Sequence, residues 1–141
     1  MEKIIKEKIS ADHLLYVSLK YTKTCDVIIN LLYRWKIMLD LAIDKLIEDA
    51  KKARKIGQIP DAPRAKLIQL KKLYSSDEVI SKTLYLYELF RDIDSLEKLR
   101  ENEFRKGVNL KVAYRGENIN INLDKLKEYA ALLEKFISHL K

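Results

Sequence analysis

Residues 11–57 read ADHLLYVSLKYTKTCDVIINLLYRWKIMLDLAIDKLIEDAKKARKIG. Apolar or small side chains recur at Leu14, Val17, Tyr21, Cys25, Ile28, Leu32, Trp35, Leu39, Ala42 and Leu46, in steps of three and four. This spacing is the seam of a helix that packs along its length. Ser10 stands where it can cap a helix opening at Ala11, and no Gly or Pro intervenes before Gly57. Gly57 follows Lys51, Lys52, Arg54 and Lys55, the order expected of a closing turn with a left-handed cap behind it. The spacing predicts one very long first helix over residues 11–55, continuous or kinked, roughly 68 Å long. The alternative is two helices divided near Thr22–Asp26, where β-branched and short polar residues cluster.

Outward from this stretch, residues 57–63 (GQIPDAP) form a linker, and Pro63 suits the first turn of a short helix reaching Tyr74. Ser75 and Glu78 have capping-box spacing ahead of a further helix with Val79, Thr83, Leu86, Phe90, Ile93, Leu96 and, at its far end, Leu99 on its inner face. That helix is expected to run towards Lys106 and stop at Gly107, with Asp92–Ser95 its weakest point. After Gly107 the period changes from 3.6 to two. Val108, Leu110, Val112 and Tyr114 alternate with polar neighbours, Arg115–Asn118 supply turn chemistry, and Ile119, Ile121 and Leu123 alternate again. A hairpin alone is marginal in water, so its apolar face must lie on the helices or pair with another chain. Asn122 or Asp124 then caps a last helix with Leu126, Tyr129, Ala130, Leu133, Phe136, Ile137 and Leu140 on one face. The expected fold is therefore mainly α. It is a single domain over 1–141, a bundle of about four helices with a very long first helix and a β-hairpin at about 108–123 before the C-terminal helix.

Composition limits the function classes. With one cysteine, Cys25, no intrachain disulfide forms, and no Cys/His spacing suits zinc. The first residues lack a secretory h-region and no run of about eighteen uncharged apolar residues occurs, so a cytoplasmic protein that does not span a membrane is expected. Enrichment in Lys, Glu, Ile, Leu and Tyr resembles the bias of hyperthermophile proteomes. Three glycines leave no room for a phosphate-binding loop, GxSxG or GxGxxG, which excludes a P-loop nucleotidase.

The net charge of +7 is concentrated. Residues 45–72 hold nine basic and three acidic groups, whereas 1–44, 73–107 and 108–141 carry +1, −2 and +2. Dipole pairing explains cations in a closing turn, but Arg64, Lys66, Lys71 and Lys72 lie beyond it. A local excess of this kind points to an anionic partner. The expected contact residues are Lys51, Lys52, Arg54, Lys55, Arg64, Lys66, Lys71 and Lys72, with Lys45 beside them.

Other constellations read as packing or solvated surface. His13 and His139 stand far apart without a second histidine at helical spacing. Cys25 lies on the apolar seam as a small core residue. Asp40, Asp44 and Glu48, and separately Glu88 and Asp92, have four-residue spacing, but without the Glu-x-x-His motifs of di-metal bundles they read as ion-paired faces. No metal or cofactor is expected. Tyr33-Arg34-Trp35 and the group Tyr74, Tyr85, Tyr87, Phe90 and Arg91 place aromatics beside arginine; buried rings with wet hydroxyls account for them, base stacking being the alternative.

A helix ending in Phe90-Arg91-Asp92-Ile93-Asp94, the segment Glu103-Phe104-Arg105-Lys106-Gly107 and the amphipathic helix Leu126–Leu140 together resemble the second half of HEPN domains, small prokaryotic helical bundles linked to toxins and RNA cleavage. The ribonucleolytic signature of that family, Arg followed four to six residues later by His, is missing at Arg91, Arg100, Arg105 and Arg115. The resemblance therefore implies a non-cleaving member and carries over no catalytic residue. The sequence as a whole points to a non-catalytic protein binding nucleic acid, RNA in preference to DNA, or another polyanion, through residues 45–72. The rival expectation is a protein-interaction module that homodimerises through its long helix. A homodimer is expected on either account, because the 14–46 seam carries more apolar length than the remaining elements cover.

Overall fold

The computed structural model describes residues 1–141, mostly helix, with a three-stranded antiparallel sheet before the last helix. Helix α1 (Glu2–His13) passes through a π-helical turn, Leu14–Ser18, into a last turn α2 (Leu19–Tyr21) with right-handed helical angles throughout. Ser10 is thus interior to a helix that starts earlier, since Glu2–Ile9 is rich in good helix formers and buries Ile4.

The predicted single long helix is two. At Thr22 the backbone leaves helical space (φ −128°, ψ 89°), and Thr24 is extended with its hydroxyl accepting from the Val27 N–H at 3.3 Å. That cap opens α3 (Cys25–Lys52), and the chain doubles back so that Arg34 reaches Glu7 at 3.7 Å. The stripe from Cys25 to Leu46 is buried as its spacing indicates. Before the break only Leu14 packs on the core, half-buried. The π turn and the reversal bring Ala11, Leu15 and Leu19 inward instead, leaving Val17 and Tyr21 41% and 78% exposed.

Gly57 does not cap α3. The helix ends three residues sooner in a left-handed cap built on Arg54 (φ 59°), with the Lys55 N–H bonded to the Ala50 carbonyl and the Arg54 N–H to that of Lys51. Ile56 is buried just beyond, which anchors the early stop. Pro63 begins α4 (Pro63–Leu73) as expected. Asp77, not Ser75, caps α5 (Glu78–Asp92) by accepting from the Ile80 N–H at 3.0 Å.

The α5 helix stops well short of Lys106. A 3-10 turn, Ile93–Ser95, ends it, and Lys98 donates to the carbonyls of Ile93, Asp94 and Leu96. Residues Lys98–Glu101 then form β1, an edge strand alongside β2 (Asn109–Tyr114), which pairs in turn with β3 (Glu117–Asn122). The predicted hairpin is therefore two strands of three. Its turn is only Arg115-Gly116, both at positive φ (52° and 81°), with Tyr114 opposite Glu117. This is the two-residue geometry that matches strand twist. Leu110, Val112, Tyr114 and Ile121 are buried, so the sheet lays its apolar face on the helices. Asn122 caps the final helix α6 (Leu123–Leu140) by accepting from the Lys125 N–H at 2.9 Å.

The core closes where α3, α5 and α6 meet. Trp35, 2% exposed, stacks on Phe90 with centroids 5.7 Å apart and meets the edge of Tyr129 at 6.5 Å. Trp35→Ala should cost about 3–5 kcal/mol in urea unfolding; a loss under about 1 kcal/mol would contradict this packing. At Gly116 a Cβ would meet nothing within 4 Å, so any penalty there is backbone strain alone. Gly116→Val should therefore destabilise more than Gly116→Asn, which tolerates the left-handed region. Equal melting temperatures for the two variants would count against the turn.

Candidate nucleic-acid interface

The contacts of α4 set the geometry of the basic stretch. Lys66 meets Asp44 at 3.1 Å, while the Lys55 ammonium lies 5.5 Å from the Tyr74 ring. Helix α4 therefore runs beside the last third of α3 in the same direction, and residues 53–62 are the return. Two helix C-termini end side by side, which gathers Lys51, Lys52, Arg54, Lys55 and Lys72 at one end of the molecule. All five are exposed and none has a carboxylate within 4.0 Å. Lys51, Lys52 and Lys72 complement the two helix dipoles. Arg54 and Lys55 lie past the end of α3, where that pairing no longer accounts for them.

The other sequence-predicted residues are divided. Lys66 turns to the opposite side of α4 and is neutralised by Asp44, as Lys45 is by Asp49 at 3.0 Å. Arg64 and Lys71 face α5 and line a shallow groove of about 500 Å³ with Arg91, Arg115, Glu88 and Asp92. Glu88 is 7% exposed and accepts from Arg115 at 2.9 Å while contacting the Lys71 ammonium. Burial pushes its carboxyl up, but hydrogen bonds from Lys71 and Arg115 and the charges of both outweigh this and hold it below the usual glutamate range. Asp92 pairs with Arg91 at 2.9 Å. The groove thus has four cations against two carboxylates, and Arg64 alone lacks a carboxylate partner.

Aromatic rings extend the groove on one side. The Arg115 guanidinium lies 4.8 Å from the Tyr114 ring centroid and 5.5 Å from that of Tyr85, which is 43% exposed. Of the aromatic–basic group, Tyr87 and Phe90 are core, and the Tyr87 hydroxyl donates to Asp40 at 2.7 Å. Burial and that hydrogen bond push the Tyr87 hydroxyl pKa up. Trp35 is core as well, leaving Tyr33 exposed. In the sequence Arg115 carries only the marks of a turn residue, and nothing joins it to the basic stretch 45–72. The signal available was an arginine next to glycine in a two-residue hairpin, which aims it off the sheet end.

The remaining carboxylates, the thiol and the imidazoles stand apart from this groove. Asp40 pairs with Lys36 at 2.8 Å, and no three His, Cys, Asp or Glu side chains lie close enough to hold a metal. Cys25 is fully buried with its thiol facing the Asn109 carbonyl at 3.4 Å, and burial pushes its pKa up, away from the reactive thiolate. His13 and His139 are exposed.

Replacing Glu88 tests the network. Glu88→Gln should lose about 1–2 kcal/mol of stability at neutral pH, a hydrogen-bonded charge discounted for two partly solvated partners. Because the folded pKa is depressed, the wild-type advantage is present above the unfolded value of about 4.3 and is lost as pH falls through the folded value. Urea midpoints for the two proteins should converge below about pH 4; an undiminished gap there would rule out the ion pair as its source.

No protein-family model, curated protein or solved structure matches this chain.

Proposed function

We propose that this protein binds single-stranded nucleic acid, RNA in preference to DNA, without cleaving it. The surface responsible is the end formed by Lys51, Lys52, Arg54, Lys55 and Lys72, extended along α4 through Arg64 to the groove holding Lys71 and Arg115. The observation that carries this reading is the cluster of exposed cations left without carboxylates, in a molecule that neutralises Lys45, Lys66 and Lys71 close by. Uncompensated positive charge at this density repels itself unless a polyanion neutralises it. Along α4, Arg64 and Lys72 are about 12 Å apart, a reach of two to three phosphates on an extended strand. Tyr85 beside Arg115 offers a ring to an unstacked base, which favours a single strand over a duplex. The likeness of residues 78–141 to HEPN domains without the Arg…His pair supports the same non-cleaving role.

The homodimer remains a second proposal with less to support it. From Cys25 to Leu46 the seam is covered within the chain, which leaves only Val17 and Tyr21 of that seam exposed to a second copy.

Affinity for a single-stranded RNA should fall steeply with salt, each phosphate contact adding about −0.7 to the log–log slope. Changing Lys51, Lys52, Arg54 and Lys55 together to Gln should weaken binding and flatten the slope by about 2–3, with an unchanged far-ultraviolet circular dichroism spectrum. In the opposite direction, Glu88→Gln releases Lys71 and Arg115 and should tighten binding. No detectable binding at low salt, or unchanged binding in the fourfold variant, would leave the interaction-module reading in front.

A further inference from the structure

The opposite end of α3, about 40 Å from the Lys51–Lys55 cluster, carries a second basic surface of different character. There the loop 102–107 docks on the α2–α3 junction, with the Phe104 N–H donating to the Lys23 carbonyl at 2.6 Å and the Cys25 N–H to Glu103 Oε1 at 3.4 Å. Asn102 and Phe104 hold positive φ (54° and 65°), and the Phe104 side chain is 76% exposed. Between this loop, the π turn and the start of α6 lies a half-open pocket of about 200 Å³. Leu15, Leu19, Val108 and Leu123 form its apolar wall. Lys20, Lys23, Lys106 and Lys127 stand around it, and none of them is within ion-pair distance of a carboxylate.

We propose that this pocket binds a free medium-chain carboxylate, its hydrocarbon chain against the leucine and valine wall and its head among the lysines. Charge complementarity selects the head: Lys23 Nζ donates to the Lys20 carbonyl at 2.6 Å and Lys20 Nζ lies 5.9 Å from the Tyr21 ring centroid, but Lys106 and Lys127 have no partner and no carboxylate offsets any of the four, so the opening favours an anion. The wall selects the tail. Apart from the lysines and the Tyr16 hydroxyl it offers no polar side chain, so a nucleobase would lose the hydrogen bonds of its edges on entering. A bare phosphate or acetate would leave the apolar wall wet. Size selects the length, because a cavity of about 150 Å³ takes up benzene, so this one accepts a chain of about six to eight carbons. The π turn that supplies Leu15 and Tyr16 is an uncommon geometry concentrated at functional sites. This site is independent of the nucleic-acid reading, sharing no residue with it.

The test is calorimetric titration of the full chain with sodium octanoate, beside butanoate, hexanoate, acetate, octanol and uridine monophosphate. Octanoate should bind at one site, and each methylene added from butanoate to octanoate should tighten binding about threefold to fourfold. Acetate, octanol and uridine monophosphate should be at least about tenfold weaker. The double variant Lys106→Gln, Lys127→Gln, two side chains that make no hydrogen bond or ion pair within the protein, should weaken octanoate about tenfold at an unchanged melting temperature. Octanol matching octanoate, affinity independent of chain length, or tighter binding of uridine monophosphate would each overturn the proposal. So would co-sedimentation with phosphatidylglycerol vesicles without any octanoate binding, since the surface would then be reading a bilayer.

Discussion

The structure depends on covering α3. Twelve of its 28 residues are buried, from Cys25 to Ala50, and they include neighbours such as Leu31 and Leu32, Met38 and Leu39, Ala42 and Ile43, and Leu46 and Ile47. Adjacent buried positions on a helix are about 100° apart, so a single partner helix cannot shield them all. Residues 2–21 fold back along one side, α5 and α6 close another around Trp35, α4 covers the last turns, and the sheet covers the first. The reversal at Thr22–Thr24 follows from the same demand. A helix continuing straight through that point would leave the stripe of α3 without the cover that residues 2–21 provide.

Covering α3 in this way also distributes the charge. Along the middle of the molecule carboxylates and cations alternate at ion-pair spacing, as in Lys36–Asp40 and Lys45–Asp49, each worth a few tenths of a kcal/mol at most on an exposed face. At each end of α3 a group of lysines lies outside that pairing, although Asp26 in the first turn meets Arg100 at 2.8 Å. One end collects the cations that follow two helix C-termini. The other collects lysines from the α2–α3 junction, the loop before β2 and the first turns of α6. Both surfaces arise because helices that run side by side bring their termini, and the polar residues that close them, to common ends.

Some segments were read correctly because the local signal and the tertiary environment agree. The Cys25–Leu46 stripe, Pro63 at a helix start and the alternation at Leu110–Tyr114 are of this kind, and of the two cap candidates Asn122 and Asp124 the first is the one used. The strand Lys98–Glu101 was not legible. Three of its four residues are exposed, so it carries no alternation, and it exists because the free edge of β2 offers hydrogen bonds to whatever lies beside it. Its lysine and arginine suit an edge that must not recruit another chain. The α3 end was misplaced for a related reason. Glycine is the usual left-handed cap, but burial of Ile56 sets where the chain must turn, and Arg54 takes the strained position.

Sequence by itself determined the helical class, the hairpin, the inner face of α3 and the concentration of positive charge in residues 45–72, because each is a property of spacing or composition within one segment. Tertiary structure decided which cations stay free. Lys66 and Lys71 are neighbours of the same composition as Lys72, yet the first meets Asp44, the second meets Glu88 and the third meets nothing. It also brought Arg115 to a groove begun by Arg64, 51 positions earlier in the chain. Ion pairing acts over a few ångströms in space and is indifferent to separation along the chain, so no period or motif records it.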